Sequence, residues 1–338
     1  LMVKEGRADL VAFGRQSLAD PAMPKKAQEE RLEDMTPCIA CLQGCVANMY
    51  AGNPVCCLTN PFLGHEAEPL EKAEEPKKVM VIGGGVAGLS AAFIAKERGH
   101  EVTLYEAGDV LGGNMRLAAY PPGKGDITNM IRNYIHRCQK DGVKIVMNCE
   151  VTPELIKEEK PDSVIIATGS KTLILPIEGI DNPAIIHGSD LLDGKRAAGK
   201  KVLVVGGGMV GCETAAFLGE QEHDVTVIEF RDTVGADVIH EHRVYLMKDF
   251  EDYGIKEITG AKVCKFYEDG VEYETADGVR HESRGYDSVI LSMGFRNYNP
   301  LEEKIKDLVP ETHVIGDAIR ARRALDATKE AYEVASRI

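Results

Sequence analysis

Residues 79–106, VMVIGGGVAGLSAAFIAKERGHEVTLYE, contain the pattern that decides the fold. The stretch begins with an apolar run that is typical of a buried parallel strand. The run ends at a GxGxxG turn formed by Gly83, Gly85 and Gly88, after which a helix-like segment and a second apolar strand follow. A strand, a glycine-rich turn and a helix in this order predict a dinucleotide-binding βαβ unit.

Each glycine has a separate role in such a unit. The first makes the tight turn, the second lets a pyrophosphate approach the backbone, and the third allows the helix and the strand to pack closely. The helix N-terminus then faces the anion. Glu106 ends the second strand, where a carboxylate can accept hydrogen bonds from a ribose diol. A purely structural glycine-rich turn is the alternative, and the agreement of all these features argues against it.

The same pattern of strand, glycine-rich turn, helix and strand occurs a second time at residues 202–229, VLVVGGGMVGCETAAFLGEQEHDVTVIE. Its fingerprint residues lie 123 positions after their counterparts, at Gly206, Gly208, Gly211 and Glu229. A further pair of strands ending in glycine follows at nearly the same offset, Ile165–Gly169 and Ile290–Gly294. The repeat predicts two dinucleotide-binding domains of one architecture.

The composition of the chain excludes several classes of protein. Its 338 residues suffice for about two domains, and the formal charge of −14 argues against a nucleic-acid-binding surface. No apolar run reaches the roughly 18 residues of a membrane span, and no signal peptide is recognisable. The nine cysteines include a cluster near the N-terminus that is typical of metal ligands rather than of disulfides. These features predict a cytoplasmic protein.

Four cysteines follow the spacing C-x2-C-x3-C-x11-C, at Cys38, Cys41, Cys45 and Cys57. Three close thiolates and a fourth that returns later can ligate a [4Fe–4S] cluster, whose cubane offers four iron corners. Structural zinc, which usually uses two C-x2-C pairs, and inert buried thiols are the alternatives. Cys56 could replace Cys57 as the fourth ligand. The remaining cysteines are expected to be small buried hydrophobic residues, at Cys138, Cys149, Cys212 and Cys264.

The first 36 residues contain one expected strand, Ala8–Phe13, which ends at Gly14 and Arg15. One strand with a polar helical stretch cannot close a core, so we expect this segment to need more protein upstream and the N-terminus at Leu1 to be truncated. A frayed extension is the simpler interpretation, and these residues alone favour it. The alternative is that Gly14 and Arg15 belong to a phosphate-binding loop at the end of a barrel strand.

Residues between and after the two fingerprints add weaker signals. The charged stretch Gly64–Lys78 is typical of a surface linker. Gly113 and Arg116 lie in a connection that either approaches a ligand or is an ordinary loop. Val151 follows a strand at a point suited to contact with an adenine. Asp317, after the last strand, can hydrogen-bond a ribityl hydroxyl or cap a helix.

The remaining pattern predicts further helices and strands. Helices are expected over Asp126–Gly142, near Asp237–Tyr253 and from about Leu325, and strands over Val143–Met147, Ser163–Ala167 and Thr312–Gly316. Two Asp-Gly turns predict a meander of short strands over Ala261–Phe266, Val271–Thr275 and Val279–Ser283. Because the first domain is interrupted by the second and then resumes, the two are expected to face each other and to allow hydride transfer at their interface.

Beyond these patterns, the chain resembles the C-terminal half of the family of enoate reductases, 2,4-dienoyl-CoA reductases and trimethylamine dehydrogenase. The resemblance covers nearly every residue and rests on the segments ADLVAFGRQSLADP, CIACLQGC, CLTNP, VIGGGVAGLSAA, VTLYE, ATGS, VVGGGMVGCETA, VTVIE, VIGDA and LDATKEAYEVA. It implies an N-terminal (β/α)8 barrel with FMN, one [4Fe–4S] cluster, and a module similar to FAD/NAD(P)-dependent disulfide reductases. Nearly the whole barrel is missing from this sequence, and the family's catalytic acid lies there, so no catalytic residue is assigned.

The resemblance also implies which residues bind the cofactors. FAD would be held by Gly83, Gly85, Gly88, Glu106, Gly316 and Asp317, and we expect the same site to include Val86, Ala87, Gly113, Arg116, Val151, Ala167, Thr168 and Gly169. NAD would be held by Gly206, Gly208, Gly211 and Glu229, with Met209, Val210 and Gly294 beside them. The cluster would be ligated by Cys38, Cys41, Cys45 and Cys57, and the surviving part of the FMN phosphate site would be Gly14 and Arg15.

The predicted fold class is α/β, with two nested Rossmann-like nucleotide-binding domains of the disulfide-reductase type, preceded by a (β/α)8 barrel remnant and an iron–sulfur loop. The expected segments are the barrel remnant at 1–36, the cysteine segment at 37–63, the linker at 64–78, the FAD domain at 79–194 and 295–338, and the NAD(P) domain at 195–294. Glu229 favours NADH, because a carboxylate there would repel the 2′-phosphate of NADPH. Arg231 could still accommodate that phosphate, so NADPH stays an alternative.

The predicted function is an oxidoreductase module that passes electrons from NAD(P)H to FAD and the cluster and, in the intact protein, to an FMN that reduces an activated C=C bond. An unsaturated acid or thioester is the expected substrate, neither nucleic acid nor membrane is an expected partner, and homo-oligomer formation stays open. The alternatives are a free-standing FAD-dependent NADH oxidase or diaphorase and a non-catalytic nucleotide-binding subunit. A disulfide reductase is disfavoured, since Gly112–Leu117 contains no cysteine.

Overall fold

The structure of the chain, a computed structural model, describes residues 2–338. They form two compact units, each built from separate stretches of the chain. The first unit contains residues 2–113, 126–169 and 299–338, and the second contains residues 114–125 and 170–298. The chain therefore leaves the first unit and later returns to it, as the order of the two fingerprints predicts.

A five-stranded parallel sheet forms the centre of the first unit, in the order β15-β4-β1-β2-β3. Its strands are β1 (Lys78–Ile82), β2 (Glu101–Tyr105), β3 (Lys144–Val146), β4 (Ser163–Ile166) and β15 (Glu311–Val314). Its helices are α1 (Arg15–Ala19), α2 (Met23–Gln28), α3 (Val46–Tyr50), α4 (Val86–Glu97), α6 (Ile127–Lys140), α7 (Pro153–Glu159), α11 (Glu302–Ile305) and α12 (Ala324–Ala335). Two 3-10 turns lie at Leu32–Asp34 and Gly316–Ala318.

The packing of α4 against the sheet fixes the first fingerprint. The last four residues of β1 are all buried, as expected for a parallel sheet that is covered on both faces. Helix α4 is itself buried over nine consecutive residues, Ala87–Ala95, and packs against α12 and α6. Small side chains on this helix, such as Ala91 and Ala95, allow the helices to approach closely. The packing of α4 against the sheet, α6 and α12 therefore fixes the turn between β1 and α4.

The second unit repeats this plan and adds antiparallel strands. Its parallel sheet has the order β6-β13-β7-β8-β9, and the antiparallel sheets are β10-β11-β12 and β14-β5. The strands are β5 (Ser170–Thr172), β6 (Ile186–His187), β7 (Lys201–Val205), β8 (Asp224–Ile228), β9 (Lys256–Ile258), β10 (Lys262–Tyr267), β11 (Gly270–Glu274), β12 (Arg280–Arg284), β13 (Ser288–Leu291) and β14 (Phe295–Asn297). The helices are α5 (Asn114–Leu117), α8 (Gly188–Leu192), α9 (Met209–Glu220) and α10 (His240–Asp252).

Most predicted elements form within a few residues of their expected bounds. The α/β class with two parallel-sheet units is confirmed, and the meander is present as β10, β11 and β12. Of the four cysteines expected to be buried, Cys138 and Cys212 are buried, whereas Cys149 and Cys264 are half-buried. Within residues 2–338, no helix combines the length and the apolar character needed to cross a membrane.

Two expectations about the backbone differ from the structure. The strand predicted over Ala8–Phe13 does not form, and Leu10 is 88% exposed. A strand needs a hydrogen-bonded neighbour, and no strand of the described residues pairs with this segment.

The chain passes into the second unit after Gly169 rather than after residue 194, because β5 and β6 pair with β14 and β13 of that unit. The return to the first unit comes after Tyr298 rather than after residue 294.

Candidate functional site

The turn between β1 and α4 explains two of the three glycines of the first fingerprint. Gly83 has a φ of +112°, and a β-carbon on it would lie 2.3 Å from the carbonyl oxygen of Ala167. A β-carbon on Gly88 would lie 1.9 Å from the carbonyl oxygen of Gly83. Both separations are shorter than a β-carbon can adopt against a backbone oxygen. The turn and the packing of α4 on β1 therefore require glycine at both positions.

Gly85 is different, since the fold itself does not require glycine there. Its φ of −74° suits any residue. Apart from its chain neighbours, no atom of residues 2–338 lies within 4 Å of the place where its β-carbon would stand. Val86 and Ala87 follow as the first residues of α4, and the helix start has no side-chain cap. An open space beside uncapped backbone N–H groups is the geometry that a pyrophosphate needs.

Glu106 holds the same glycine turn from the end of β2. One carboxylate oxygen accepts a hydrogen bond from the backbone N–H of Gly84 at 2.7 Å, and the other accepts one from Gly108 at 2.7 Å. Gly113 also approaches the turn, since its β-carbon position is 3.1 Å from the Cα atom of Gly85. Glu106 therefore stabilises the turn. Because a carboxylate has lone pairs for more than two hydrogen bonds, this role is compatible with the predicted contact to a ribose.

The other residues expected at the first site have different environments. Ala167, Thr168 and Gly169 directly follow β4, which pairs with β1, so they lie at the same edge of the sheet as the fingerprint turn. Val151 is 5% exposed and packs in the core of the first unit.

Arg116 belongs to the second unit, where its guanidinium pairs with Asp193 at 2.5 Å. This ion pair accounts for the charge of Arg116, and its contact with FAD stays a prediction.

Gly316 connects β15 with helices α4 and α12. Its φ is +64°, and a β-carbon on it would lie 3.0 Å from the β-carbon of Ala87. Its backbone N–H donates to the Glu330 carboxylate on α12 at 2.7 Å, and the carboxylate of Asp317 accepts a hydrogen bond from the N–H of Arg322 at 3.0 Å. Gly316 thus lies against the first turn of α4. Glu330 is a long-range contributor that no local sequence pattern indicates.

The turn between β7 and α9 repeats this geometry in the second unit. Gly206 has a φ of +104°, and a β-carbon on it would lie 2.4 Å from the carbonyl oxygen of Ser292. A β-carbon on Gly211 would lie 1.8 Å from the carbonyl oxygen of Gly206. Gly294, with a φ of +100°, comes three residues after β13, the strand that pairs with β7. The first and third glycines of the second fingerprint are therefore also required by the backbone.

Glu229 holds the second turn in the way that Glu106 holds the first. It is 9% exposed, and its carboxylate oxygens accept hydrogen bonds from the N–H of Gly207 at 2.6 Å and of Arg231 at 2.9 Å. The side chain of Arg231 is exposed. The end of the second strand is the place from which a carboxylate reaches a ribose in dinucleotide-binding folds.

The start of α9 differs from the start of α4 in one respect. Gly208 has a φ of −72°, so its conformation suits any residue. The carboxylate of Asp237 lies 3.5 Å from the place where a β-carbon on Gly208 would stand. One oxygen of Asp237 accepts a hydrogen bond from the N–H of Met209 at 2.9 Å, and Val210 follows as the second residue of α9. The carboxylate of Asp237 therefore occupies a space at the start of α9, and the corresponding space at the start of α4 is open.

A buried ion pair in the second unit was not predicted from the sequence. Glu213 on α9 is 8% exposed, and its carboxylate pairs with the ammonium group of Lys124. Burial raises the pKa of Glu213, and the neighbouring Lys124 opposes that rise. A single acidic residue within the apolar run of α9 is the signal that could have revealed it. The pair introduces a titratable group close to the second fingerprint.

The four cysteines of the N-terminal motif line one cavity, together with Cys56 and Arg15. Gly44 brings the two parts of the motif together, because a β-carbon on it would lie 2.4 Å from the carbonyl oxygen of Cys56. The N–H of Cys56 donates to the carbonyl of Gly44 at 2.8 Å. This close approach places Cys57 beside the other motif cysteines despite the intervening helix α3. Gly14 lies directly before α1, and Arg15 begins it.

The cavity has the donor set of a metal site. Burial is the main cause that raises the pKa of Cys41 to about 11, and the neighbouring cysteines add to the rise. Four thiols in one cavity are the ligands of an iron–sulfur cluster or of a tetrathiolate zinc ion. As the side chains stand in residues 2–338, no group of three or more His, Cys, Asp or Glu residues meets the geometry for holding a single metal ion. The chemistry of the donors fits an iron–sulfur cluster or a zinc ion.

The cysteine segment is attached to the rest of the first unit. The side-chain oxygen of Gln43 accepts a hydrogen bond from the N–H of Leu325, in the first turn of α12, at 3.3 Å. The hydroxyl of Tyr134 on α6 donates to the carbonyl of Leu58 at 2.9 Å. The backbone glycine contacts and these side-chain bonds together hold the cysteine loop against α6 and α12.

A family model for the pyridine nucleotide-disulphide oxidoreductases matches residues 67–313, a range that includes both fingerprints. The chain belongs to this family. As a pyridine nucleotide-disulphide oxidoreductase it is an enzyme module that uses FAD and NAD(P)H. Its nine cysteines are all free, and Gly112–Leu117 after the first fingerprint contains none, so within residues 2–338 no disulfide lies close to that turn.

Individual members of the family are similar over the whole chain. An NADH oxidase from Thermoanaerobacter brockii is 36% identical over 346 residues, which cover 100% of this chain and 53% of that protein. A cinnamate reductase from Clostridium sporogenes is 34% identical over 340 residues, which cover 99% of this chain and 50% of that protein. The solved complex of 2-naphthoyl-CoA reductase with 2-naphthoyl-CoA matches with a TM-score of 0.95 at 34% identity, covering 100% of this chain and 52% of that one.

The chain thus spans about half the length of the relatives it matches. The resemblance to the C-terminal half of the enoate reductase family, which the sequence motifs indicate, is confirmed by these relatives. The disulfide-reductase-type fold with two Rossmann-like units is confirmed as well.

Proposed function

We propose that this chain is the electron-input part of a larger flavin and iron–sulfur reductase. NAD(P)H, with NADH favoured, would reduce FAD, and electrons would pass to a [4Fe–4S] cluster and, in the intact protein, to FMN in a preceding (β/α)8 barrel. The observation that carries the proposal is the occurrence, in one chain, of two glycine fingerprints and a cavity lined by five cysteines.

FAD is assigned to the first unit. Its pyrophosphate would lie over Gly85 and the uncapped start of α4, with Glu106 toward the ribose and Asp317 toward the ribityl chain. FAD supplies two-electron chemistry with a nicotinamide and one-electron chemistry with an iron–sulfur centre. The supporting residues of this assignment are Gly83, Val86, Ala87, Gly88, Gly113, Val151, Ala167, Thr168, Gly169 and Gly316.

The nicotinamide nucleotide is assigned to the second unit. Gly208 and the first residues of α9, Met209 and Val210, would face its pyrophosphate, and Glu229 would face the ribose of the adenosine. A carboxylate at that place repels a 2′-phosphate, which supports NADH as the electron donor. The exposed guanidinium of Arg231 keeps NADPH as the alternative.

The cluster is assigned to Cys38, Cys41, Cys45 and Cys57, with Cys56 as the alternative fourth ligand. Their common cavity and the close approach at Gly44 support this assignment. Gly14 and Arg15 are proposed to contribute to the phosphate site of FMN. The position of Arg15 in the lining of the cysteine cavity would then put a cation near both the cluster and FMN.

The terminal substrate is proposed to be an unsaturated acid or thioester with an activated C=C bond. Two relatives are named as reductases of cinnamate and of 2-naphthoyl-CoA, and this supports the choice. A relative named NADH oxidase favours a second candidate, in which FAD returns electrons to dioxygen without a further organic substrate. The cytoplasmic location and the formation of a homo-oligomer stay predictions.

An anaerobic preparation of the full chain tests the proposal. We expect flavin absorption bands, broad additional absorption from an iron–sulfur cluster, acid-labile sulfide, and NADH-dependent reduction of ferricyanide. Flavin without iron would support the NADH oxidase instead. A colourless protein that remains colourless after addition of FAD would contradict both candidates.

A further inference from the structure

The two fingerprint helices begin differently, although their glycines have the same geometry. In the second unit, Asp237 accepts a hydrogen bond from the N–H of Met209, the first residue of α9, at 2.9 Å. The carboxylate oxygens of Asp237 lie 3.5 and 3.6 Å from the β-carbon position of Gly208. In the first unit, the corresponding space at Gly85 is open. A carboxylate therefore lies beside the second glycine of one fingerprint, and no side chain of the described residues lies beside that of the other.

The repeat itself identifies the counterpart of Asp237. The backbone N–H of Gly235 donates to the carbonyl of Gly207 at 2.7 Å, and 123 positions earlier the N–H of Gly112 donates to the carbonyl of Gly84 at 2.8 Å. The loops that follow the second strands are therefore fastened to the two glycine turns in the same way. The same offset relates Asp237 to Asn114, a neutral residue of nearly the same shape. The two repeats thus differ by a charge at this sequence position, and the side-chain amide of Asn114 donates to the hydroxyl of Ser170 and does not cap α4.

Asp237 accepts a hydrogen bond from the backbone N–H of Met209, the donor that the pyrophosphate of a bound dinucleotide would need. The start of a helix attracts anions, because its first N–H groups are unpaired and the positive end of the helix dipole lies there. The second glycine of the fingerprint leaves room for a pyrophosphate at the same point. Since Asp237 already binds the N–H of Met209 and lies beside Gly208, carboxylate and pyrophosphate compete for one place.

We propose that Asp237 is a built-in competitor for the pyrophosphate of the nicotinamide nucleotide and lowers the affinity of the second site so that this nucleotide exchanges. The inference rests on the proposed nucleotide assignment and deepens it, because it identifies a residue that sets affinity. A pyrophosphate that enters meets a negative charge and must displace it from the helix start. The first site has no such carboxylate and retains its cofactor.

The local structure allows the displacement without a change of the main chain. The loop backbone is fixed by the hydrogen bond between Gly235 and Gly207, and Val234 beside it is buried. Asp237 itself is exposed. Because the side chain of Asp237 is exposed, its rotation away from the N–H of Met209 needs no movement of the loop backbone.

Binding of NAD⁺ to the FAD-loaded chain tests this inference, because the oxidised nucleotide binds without reacting with oxidised FAD. Asp237→Asn keeps the hydrogen-bonding shape and removes the charge, and Asp237→Ala removes both. We expect calorimetric titration to show a Kd for NAD⁺ on the order of tenfold lower in Asp237→Asn, with a further decrease in Asp237→Ala. The gain should shrink at high salt, because a charge effect at an exposed site is screened. Adenosine, which has no phosphate, should bind equally to all three proteins.

Asp232→Asn is the matched control, since it removes an exposed carboxylate of the same loop, and it should leave the Kd for NAD⁺ unchanged. Unchanged or weaker NAD⁺ binding in both Asp237 variants would overturn the inference, because the carboxylate would then help to build the site. A wild-type chain that binds no NAD⁺ would instead contradict the proposed nucleotide site.

Discussion

The carbonyl oxygen of Gly206 lies 1.8 Å from the place where a β-carbon on Gly211 would stand. The first fingerprint has the same relationship, at 1.9 Å, between Gly83 and Gly88. The close approach of each helix to its glycine turn is therefore a property of the backbone. Only the middle glycine of each fingerprint is left without a reason in the fold, and the proposed pyrophosphate would supply one.

Substitutions at the first fingerprint should separate these two roles. Gly88→Ala forces a β-carbon against a backbone oxygen, so we expect a loss of about 1–3 kcal/mol in the free energy of unfolding, or failure to fold, even without FAD. Gly85→Val should leave the melting temperature of the FAD-free protein nearly unchanged and abolish FAD retention. Thermal melts with and without FAD, together with the ratio of FAD to protein, measure both effects. A Gly85→Val protein that retains FAD would contradict the cofactor assignment.

Glu229 should decide the preference between NADH and NADPH. Glu229→Ala removes the acceptor proposed for the ribose. Because roughly one charged hydrogen bond is lost, we expect the KM for NADH to rise about tenfold, with a smaller rise for NADPH. Because Glu229 also holds the N–H groups of Gly207 and Arg231, the melting temperature should fall too. Glu106→Ala is the control and should lower FAD retention without changing the ratio of the two KM values. An equal effect of Glu229→Ala on both coenzymes would refute the ribose role.

Cys41 should be needed for iron and not for the reduction of FAD. Cys41→Ser removes one of the proposed cluster ligands, so we expect the iron content to fall from about four atoms per chain to less than one. NADH-dependent reduction of ferricyanide should stay near the wild-type rate. Cys264→Ser, which changes a half-buried thiol in β10, is the control and should keep its iron. Loss of iron and of dye reduction together in Cys41→Ser would show that the centres are not separate.

Asp34 should contribute a pH-dependent part of the stability. Its carboxylate binds Lys140 at 2.5 Å, His136 at 2.9 Å and Arg31 at 2.9 Å, and the hydrogen bonds from Lys140 and His136 hold the pKa of Asp34 well below its ordinary value of 3.8. A lowered pKa in the folded state means that this stability is fully present above the pKa of the unfolded state and is lost as pH falls through the folded-state value.

Asp34→Asn should therefore lower the free energy of unfolding at pH 7, and its difference from the wild type should shrink as pH falls below about 4. Urea unfolding of the FAD-loaded, iron-free chain at pH 7, 4 and 3 measures this difference. Asp109→Asn removes an exposed carboxylate and should show a difference near zero throughout. A difference between Asp34→Asn and the wild type that stays constant across this range would contradict the lowered pKa.

The parts of the fold that depend on short-range patterns could be predicted from the sequence. Both fingerprints, the glutamate at the end of each second strand and the three-stranded meander follow from residues close in the chain. The structural role of Glu106 and Glu229 could not be predicted in this way. Each binds a glycine N–H 22 positions earlier, and only the folded turn brings these groups together.

The expectations that differ from the structure concern long-range partners. Ala8–Phe13 has the apolar character of a strand, but strand formation depends on a neighbour elsewhere in the chain. The ion pair of Arg116 with Asp193 in the second unit was not expected either, and the contact of Arg116 with FAD stays a prediction. The contact of Gln43 with Leu325 and the pair of Lys124 with Glu213 were missed for the same reason, since no local spacing indicates them.

The division of the first unit among three stretches of chain has a consequence for synthesis on the ribosome. Strand β15 and helix α12 are translated after the second unit, residues 114–125 and 170–298, so the first sheet and the support of the cysteine loop at Gln43 are still incomplete when that unit has emerged. We expect nascent chains stalled when the residues up to Tyr298 have just left the ribosome to protect the second unit from protease and to leave the cysteine segment cleavable. Equal protection of both would mean that the late strand and helix are not needed. Insertion of the proposed cluster would then follow the translation of β15 and α12.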